Sequence, residues 1–144
     1  VSLFVAEFIG SPKMNLLKGE LVDAQENHAT VKVADQLIKA AVDARHLKAG
    51  EKVTLGIRPE HIHFHARAQG DSLPIDTTYR FMEHMGAEIF LYVSIGDTPL
   101  TVRMPAEEAD ALAKLERGAP VQLHIQMSAC HLFDGQSELS LLQP

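Results

Sequence analysis

Apolar and polar residues alternate with period two over several short stretches of this chain. Thr30-Val31-Lys32-Val33 places Val31 and Val33 on one face and Lys32 on the other, and Lys52-Val53-Thr54-Leu55-Gly56-Ile57 does the same with Val53, Leu55 and Ile57. Val121-Gln122-Leu123-His124-Ile125-Gln126-Met127 is the cleanest case, four apolar positions interleaved with three polar ones. Such segments predict half-buried strands. Ala87 to Ile95 is richer in apolar and β-branched residues and predicts a more fully buried strand. Frequent breaks at Gly50, Pro59, Gly70, Gly86, Gly96 and Gly118 cut the chain into strands of barrel or sandwich length. Gly96-Asp97 predicts a tight hairpin turn, and Asp134-Gly135 another between Cys130–Phe133 and Ser137–Leu141.

One internal helix is predicted, from about Pro105 to Leu115. Pro105 suits a first helical turn, Glu107, Glu108 and Asp110 sit near its positive end, and Gly118 is placed to stop it. A second helical piece, with Phe4 and Phe8 one turn apart, ends at Gly10-Ser11-Pro12. Seven residues do not hold a helix alone in water, so this piece reads as the tail of an element cut off upstream. Val1 in place of Met agrees with a fragment.

Composition narrows the function classes. The chain has 144 residues with 13 Lys+Arg against 19 Asp+Glu, a formal net charge of -6. Residues 61–144 hold 5 basic against 11 acidic side chains. That balance disfavours nucleic acid and anionic lipid as direct partners, since both need a basic face. The single cysteine, Cys130, forms no internal disulfide, which fits a reducing compartment. No apolar run reaches the roughly 18 residues of a membrane span.

Candidate chemistry is sparse. His61, His63 and His65 would share one face of a strand, a plausible metal-binding pattern. The plainer account is a solvent-facing strand whose other face carries Ile62 and Phe64. The sequence supplies no further ligand, so no metal site is assigned. Cys130 and His131 are adjacent, so on a strand they point to opposite faces and cannot form a nucleophile–base dyad. No Gly is followed by Lys, so the phosphate-binding loop of P-loop ATPases is absent, and no catalytic or cofactor-binding residue is assigned.

Four motifs carry a family resemblance. Phe4-Val5-Ala6-Glu7-Phe8-Ile9-Gly10-Ser11-Pro12-Lys13-Met14-Asn15 resembles the junction F-V-A-x-F-I-G-S-P-x-M-N of sugar-importer ATP-binding subunits of the maltose and glycerol-3-phosphate type. Leu55-Gly56-Ile57-Arg58-Pro59-Glu60-His61 resembles their L-G-I-R-P-E-H motif. Glu83-His84-Met85-Gly86-Ala87-Glu88 is similar to their E-x-L-G-x-E segment, with Met85 in place of Leu, and His131-Leu132-Phe133-Asp134 is similar to their H-L-F-D ending. The motifs occur in the family's order and span nearly the whole chain.

The resemblance implies an all-β, OB-fold-like TOBE β-barrel architecture with one short helix. Residues 1–12 would be the end of a nucleotide-binding domain and its linker, Gly10-Ser11-Pro12, and residues 13–144 the C-terminal regulatory domain. Such a domain does not hydrolyse ATP, and ATP and magnesium would belong to the N-terminal domain of the parent ATPase. Its partners would be a second copy of itself, its own ATPase domain, the transporter's membrane subunits and a regulatory protein, at the inner face of the cell membrane. Arg58, Pro59, Glu60, Glu83, Met85 and Gly86 are the candidate dimer or regulator interface. Related TOBE-type domains hold oxyanions such as molybdate, which makes a small-ligand site the alternative function.

Overall fold

The computed structural model describes residues 13–66 and 70–134. The N-terminal helical piece, the Gly10-Ser11-Pro12 linker and the Gly135 side of the last hairpin lie outside those residues. In chain order the strands are β1 (Asn15–Ala24), β2 (Ala29–Val33), β3 (Gln36–Ala40), β4 (Lys52–Ile57), β5 (Ile62–His63), β6 (Ser72–Met85), β7 (Glu88–Ile95), β8 (Thr98–Pro105), β9 (Pro120–Gln126) and β10 (His131–Asp134). They form two compact units, one holding the chain to Arg58 and from Met127 onward, the other Pro59–Gln126. The expected all-β class is therefore observed.

The first unit is a five-stranded antiparallel sheet in the order β10-β4-β1-β2-β3. Its buried face carries Leu17, Leu21, Val31, Ile38, Val53, Leu55 and Ile57, all nearly inaccessible. Alternation therefore serves one purpose here, which is to place every second residue in one core. Strand β4 departs from the predicted pattern because Thr54 and Gly56 are buried as well. A Cβ on Gly56 would come within 2.6 Å of the Met14 sulfur and 2.9 Å of a Phe133 ring carbon. Met14 and Phe133 therefore lie over the second face of β4 at the point where glycine leaves room for them. At the β2–β3 turn Ala34 and Asp35 both adopt positive φ, 47° and 66°, the backbone of a two-residue hairpin whose twist matches the strands.

The second unit is another five-stranded antiparallel sheet, in the order β5-β9-β6-β7-β8. Its buried residues include Ile62, Ile75, Ile89, Leu91, Val93, Leu100, Val102, Leu112, Leu123 and Ile125. Thr77, buried on β6, donates its hydroxyl to the Val121 carbonyl at 2.7 Å, which satisfies its polar atom. The predicted helix is shorter than expected. A 3-10 turn, Ala106–Glu108, leads into a single α-helical turn, α1 (Ala109–Leu112). Neither start has a side-chain cap, and only Ala109 and Leu112 are buried. So narrow a stripe holds one turn against the core and no more.

Strand β6 is the longest element, and its register decides where the surface lies. Ile75, Thr77 and Tyr79 alternate into the core. Between Tyr79 and Phe81 the pairing with β7 shifts by one residue, a β-bulge at Arg80. The extra residue reverses the alternation, so Phe81, Glu83 and Met85 point away from the core. A similar irregularity between Leu21 and Asp23 leaves Val22, 45% exposed, as the extra residue and turns Asp23 away from the core side.

Candidate interaction face

Beyond the bulge, the solvent side of the β6-β7-β8 sheet is set by register. Phe81 stands opposite Tyr92, which stands opposite Thr101. Glu83 faces Phe90 and then Arg103, and Met85 faces Glu88 and then Pro105. Phe81 and Met85 are 48% and 54% exposed, two of the four large apolar side chains so exposed among the described residues. Phe90 and Tyr92 are half-buried beside them. The Phe81 and Tyr92 rings stack with centroids 4.5 Å apart and planes 23° from parallel. The β6–β7 turn is two residues, Gly86-Ala87, with Gly86 at φ 74°, a conformation that favours glycine.

The polar groups on this face are paired with one another. The Tyr92 hydroxyl donates to Glu83 Oε1 at 2.5 Å. That bond to a carboxylate, together with partial burial, pushes the phenol up to about 12. Arg103 Nε donates to Glu88 Oε2 at 2.8 Å, forming a half-exposed ion pair. Glu88 and Arg103 neutralise each other, so a partner can cover that pair at little charge cost, and the aromatic and thioether area beside it is available for contact.

The residues singled out from sequence fall in two places. Glu83 and Met85 lie on this face and Gly86 turns the hairpin beneath it. Arg58 is exposed at the end of β4, while Pro59 and Glu60 begin a 3-10 turn, Pro59–His61, with Pro59 buried. Phe81, Phe90, Tyr92 and Arg103 complete the face and were not anticipated. Phe90 and Tyr92 were legible as an aromatic pair two residues apart, on the opposite side of β7 from Ile89, Leu91 and Val93. The strand was expected to be more fully buried, but its burial alternates along its whole length.

The expected single strand carrying His61, His63 and His65 on one face is not observed. His61 ends the 3-10 turn, His63 is in the two-residue strand β5, and His65 lies in a bend, its ring edge-on to Phe64 at 4.9 Å. The strand is too short to carry all three on one face. Among the described residues no three His, Cys, Asp or Glu side chains are grouped to hold a metal ion. Cys130 is buried and the adjacent His131 exposed, as expected for neighbours on opposite sides. No helix among the described residues is long and apolar enough to cross a membrane.

Comparison with known proteins gives the relatives. Residues 10–62 match the model of the MalK OB fold domain, and residues 55–133 match that of the TOBE domain. The sn-glycerol-3-phosphate import ATP-binding protein UgpC of Escherichia coli O6:K15:H31 is 38% identical over 138 residues, covering 94% of this chain and 35% of that protein. The ABC transporter ATP-binding protein YcjV of the same strain is 33% identical over 140 residues, covering 97% of this chain and 37% of that protein. The chain thus spans little more than a third of the length of these relatives. Among solved structures, the cytoplasmic molybdate-binding protein ModG, with molybdate bound, superposes with a TM-score of 0.67 over 83% of this chain and 95% of that one. At 18% identity this likeness shows the fold alone.

Proposed function

We propose that this chain, which belongs to the TOBE-domain family, is the regulatory and dimerisation part of the ATP-binding subunit of a sugar or glycerol-phosphate importer. Its relatives are ABC transporter ATP-binding proteins matched over nearly all of this chain. In this reading the parent protein hydrolyses ATP to energise uptake, with ATP and magnesium held by a separate nucleotide-binding domain. This chain contains no phosphate-binding loop and contributes no catalytic residue. The parent sits at the inner face of the cell membrane through the transporter's membrane subunits, and residues 1–12 connect its two domains.

The observation that carries the reading is the Phe81–Met85 face. A stacked aromatic pair with Phe81 exposed, flanked by an exposed methionine and by the Glu88–Arg103 ion pair, is the composition of a protein contact. The face contains Glu83 and Met85 of the segment that resembles an importer-subunit motif, Met85 standing where that motif has Leu. We assign it to contact with a second copy of the chain, and to a regulatory protein when one is present. A stable contact of this class covers about 800 Å² on each partner, more than two aromatic side chains supply, so neighbouring surface takes part.

Analytical ultracentrifugation of the chain tests this. A concentration-dependent dimer is expected, weakened by Phe81→Glu and by Met85→Glu. A strictly monomeric chain at high concentration, or a dimer indifferent to both substitutions, overturns the assignment. ATP turnover by the isolated chain would also contradict it.

A further inference from the structure

The second unit brings together two histidines that lie far apart in the sequence. Strands β5 and β9 pair so that His63 stands directly opposite His124, and Ile62 directly opposite Ile125. Both isoleucines are fully buried, so both histidines project from the other side of the sheet. Directly opposed residues on antiparallel strands have Cβ atoms about 4.5–5.5 Å apart. Across that span two imidazoles can each turn a ring nitrogen toward one ion. His124 Nδ1 is buried and has no protein hydrogen-bond partner. Buried there, Nδ1 does not meet an ion from solvent, so Nε2 is the nitrogen that would ligate. His124 also borders an open depression with His65, Gln122 and Leu115, so it can be reached from solvent.

We propose that His63 and His124 form a two-histidine site for a borderline divalent transition metal, zinc or nickel, with water completing the coordination shell. With two protein ligands the site is exchangeable, neither a closed structural site nor a catalytic one. It discriminates against magnesium and calcium, which require oxygen ligands. It makes no use of the Phe81–Met85 face, so the two proposals stand or fall separately.

Calorimetric titration of the chain, prepared without a histidine tag, with zinc chloride, nickel chloride and magnesium chloride is the test. Zinc and nickel are expected to bind at roughly one ion per chain, and magnesium to give no binding heat. His63→Gln and His124→Gln should each weaken zinc binding by at least about tenfold, and His65→Gln should leave it unchanged. Circular dichroism confirms that the variants are folded. Should His124→Gln fail to fold, the half-buried His63 still provides the test. Absence of zinc binding to the unaltered chain overturns the proposal, as does binding that survives His63→Gln or binding lost equally in His65→Gln.

Discussion

Phe81 on β6 and Tyr92 on β7 stack on the solvent side of their sheet, and the same Tyr92 hydroxyl is held by Glu83 two residues further along β6. The face is thus ordered before any partner arrives. Ordering side chains on binding costs about 0.5–1.5 kcal/mol each, and a stack already in place reduces that cost. The double substitution Phe81→Ser, Met85→Ser is expected to raise the dimer dissociation constant by at least tenfold while shifting the thermal midpoint little, because both residues are largely exposed. Sedimentation equilibrium and a melting curve on one preparation separate the two effects.

The Tyr92 phenol provides an independent reading of this geometry. Its hydrogen bond to the Glu83 carboxylate favours the protonated form and, with partial burial, raises the phenol from 10.0 to about 12. A phenol with a raised folded-state value stabilises the fold fully below about pH 10 and loses that contribution as the pH climbs toward 12. Spectrophotometric titration near 295 nm should show Tyr92 ionising late. In Glu83→Gln it should ionise earlier, with a smaller loss of stability between those two pH values. A titration curve unchanged in Glu83→Gln would contradict the hydrogen bond.

Gly19, on β1 opposite Val53, is enclosed by its neighbouring strand. A Cβ there would lie 2.5 Å from the Lys32 carbonyl oxygen, 2.8 Å from Val31 Cγ1 and 2.9 Å from Val33 Cγ2. The first obstacle is backbone and cannot rotate away, so β2 must shift. Gly19→Ala is expected to destabilise the chain by about 1–3 kcal/mol, read as a lower denaturant midpoint. Gly118→Ala meets no neighbour within 4 Å, but it is strained at φ 95° and should cost less than Gly19→Ala.

The β2–β3 hairpin contains a correctable strain. Ala34 holds φ 47°, a left-handed conformation that a Cβ makes unfavourable by roughly 1–2 kcal/mol. Asn tolerates that region and is preferred at this turn position. Ala34→Asn is therefore expected to stabilise by about 0.5–1 kcal/mol, visible as a higher melting temperature with no change in self-association.

Much of this architecture was legible in the sequence for a simple reason. Where one face of a strand is buried and the other wet, as at Val121–Gln126 and Lys52–Ile57, the alternation of residues is the alternation of environments. Gly96-Asp97 was readable for the same local reason, since Ile95 pairs with Thr98 across it. Helix length was misjudged because charges near Pro105–Leu115 favour a helix without saying how much apolar surface awaits it. The strand expected over His61–His65 is shorter than its alternation suggests, because β5 stops after two residues. The partner of His63, His124, could not be found along the chain, because antiparallel register is a tertiary fact. The interaction face was half legible. Its motif residues Glu83 and Met85 were visible, but Phe81 was not, because a bulge at Arg80 leaves no mark on apolar periodicity.

That bulge divides β6 into two reading frames. Ahead of it Ile75, Thr77 and Tyr79 belong to the interior, and behind it Phe81, Glu83 and Met85 belong to the outside. Removing Arg80 would leave Tyr79 opposite Val93 and Phe81 opposite Tyr92 in regular alternation, so the bulge would vanish while Phe81, Glu83 and Met85 kept their outward side. A one-residue slip that kept Arg80 and set it opposite Tyr92 would instead turn Phe81, Glu83 and Met85 inward, burying a carboxylate at Glu83. Register against β7, more than the residue count of β6, therefore decides which side chains this face presents.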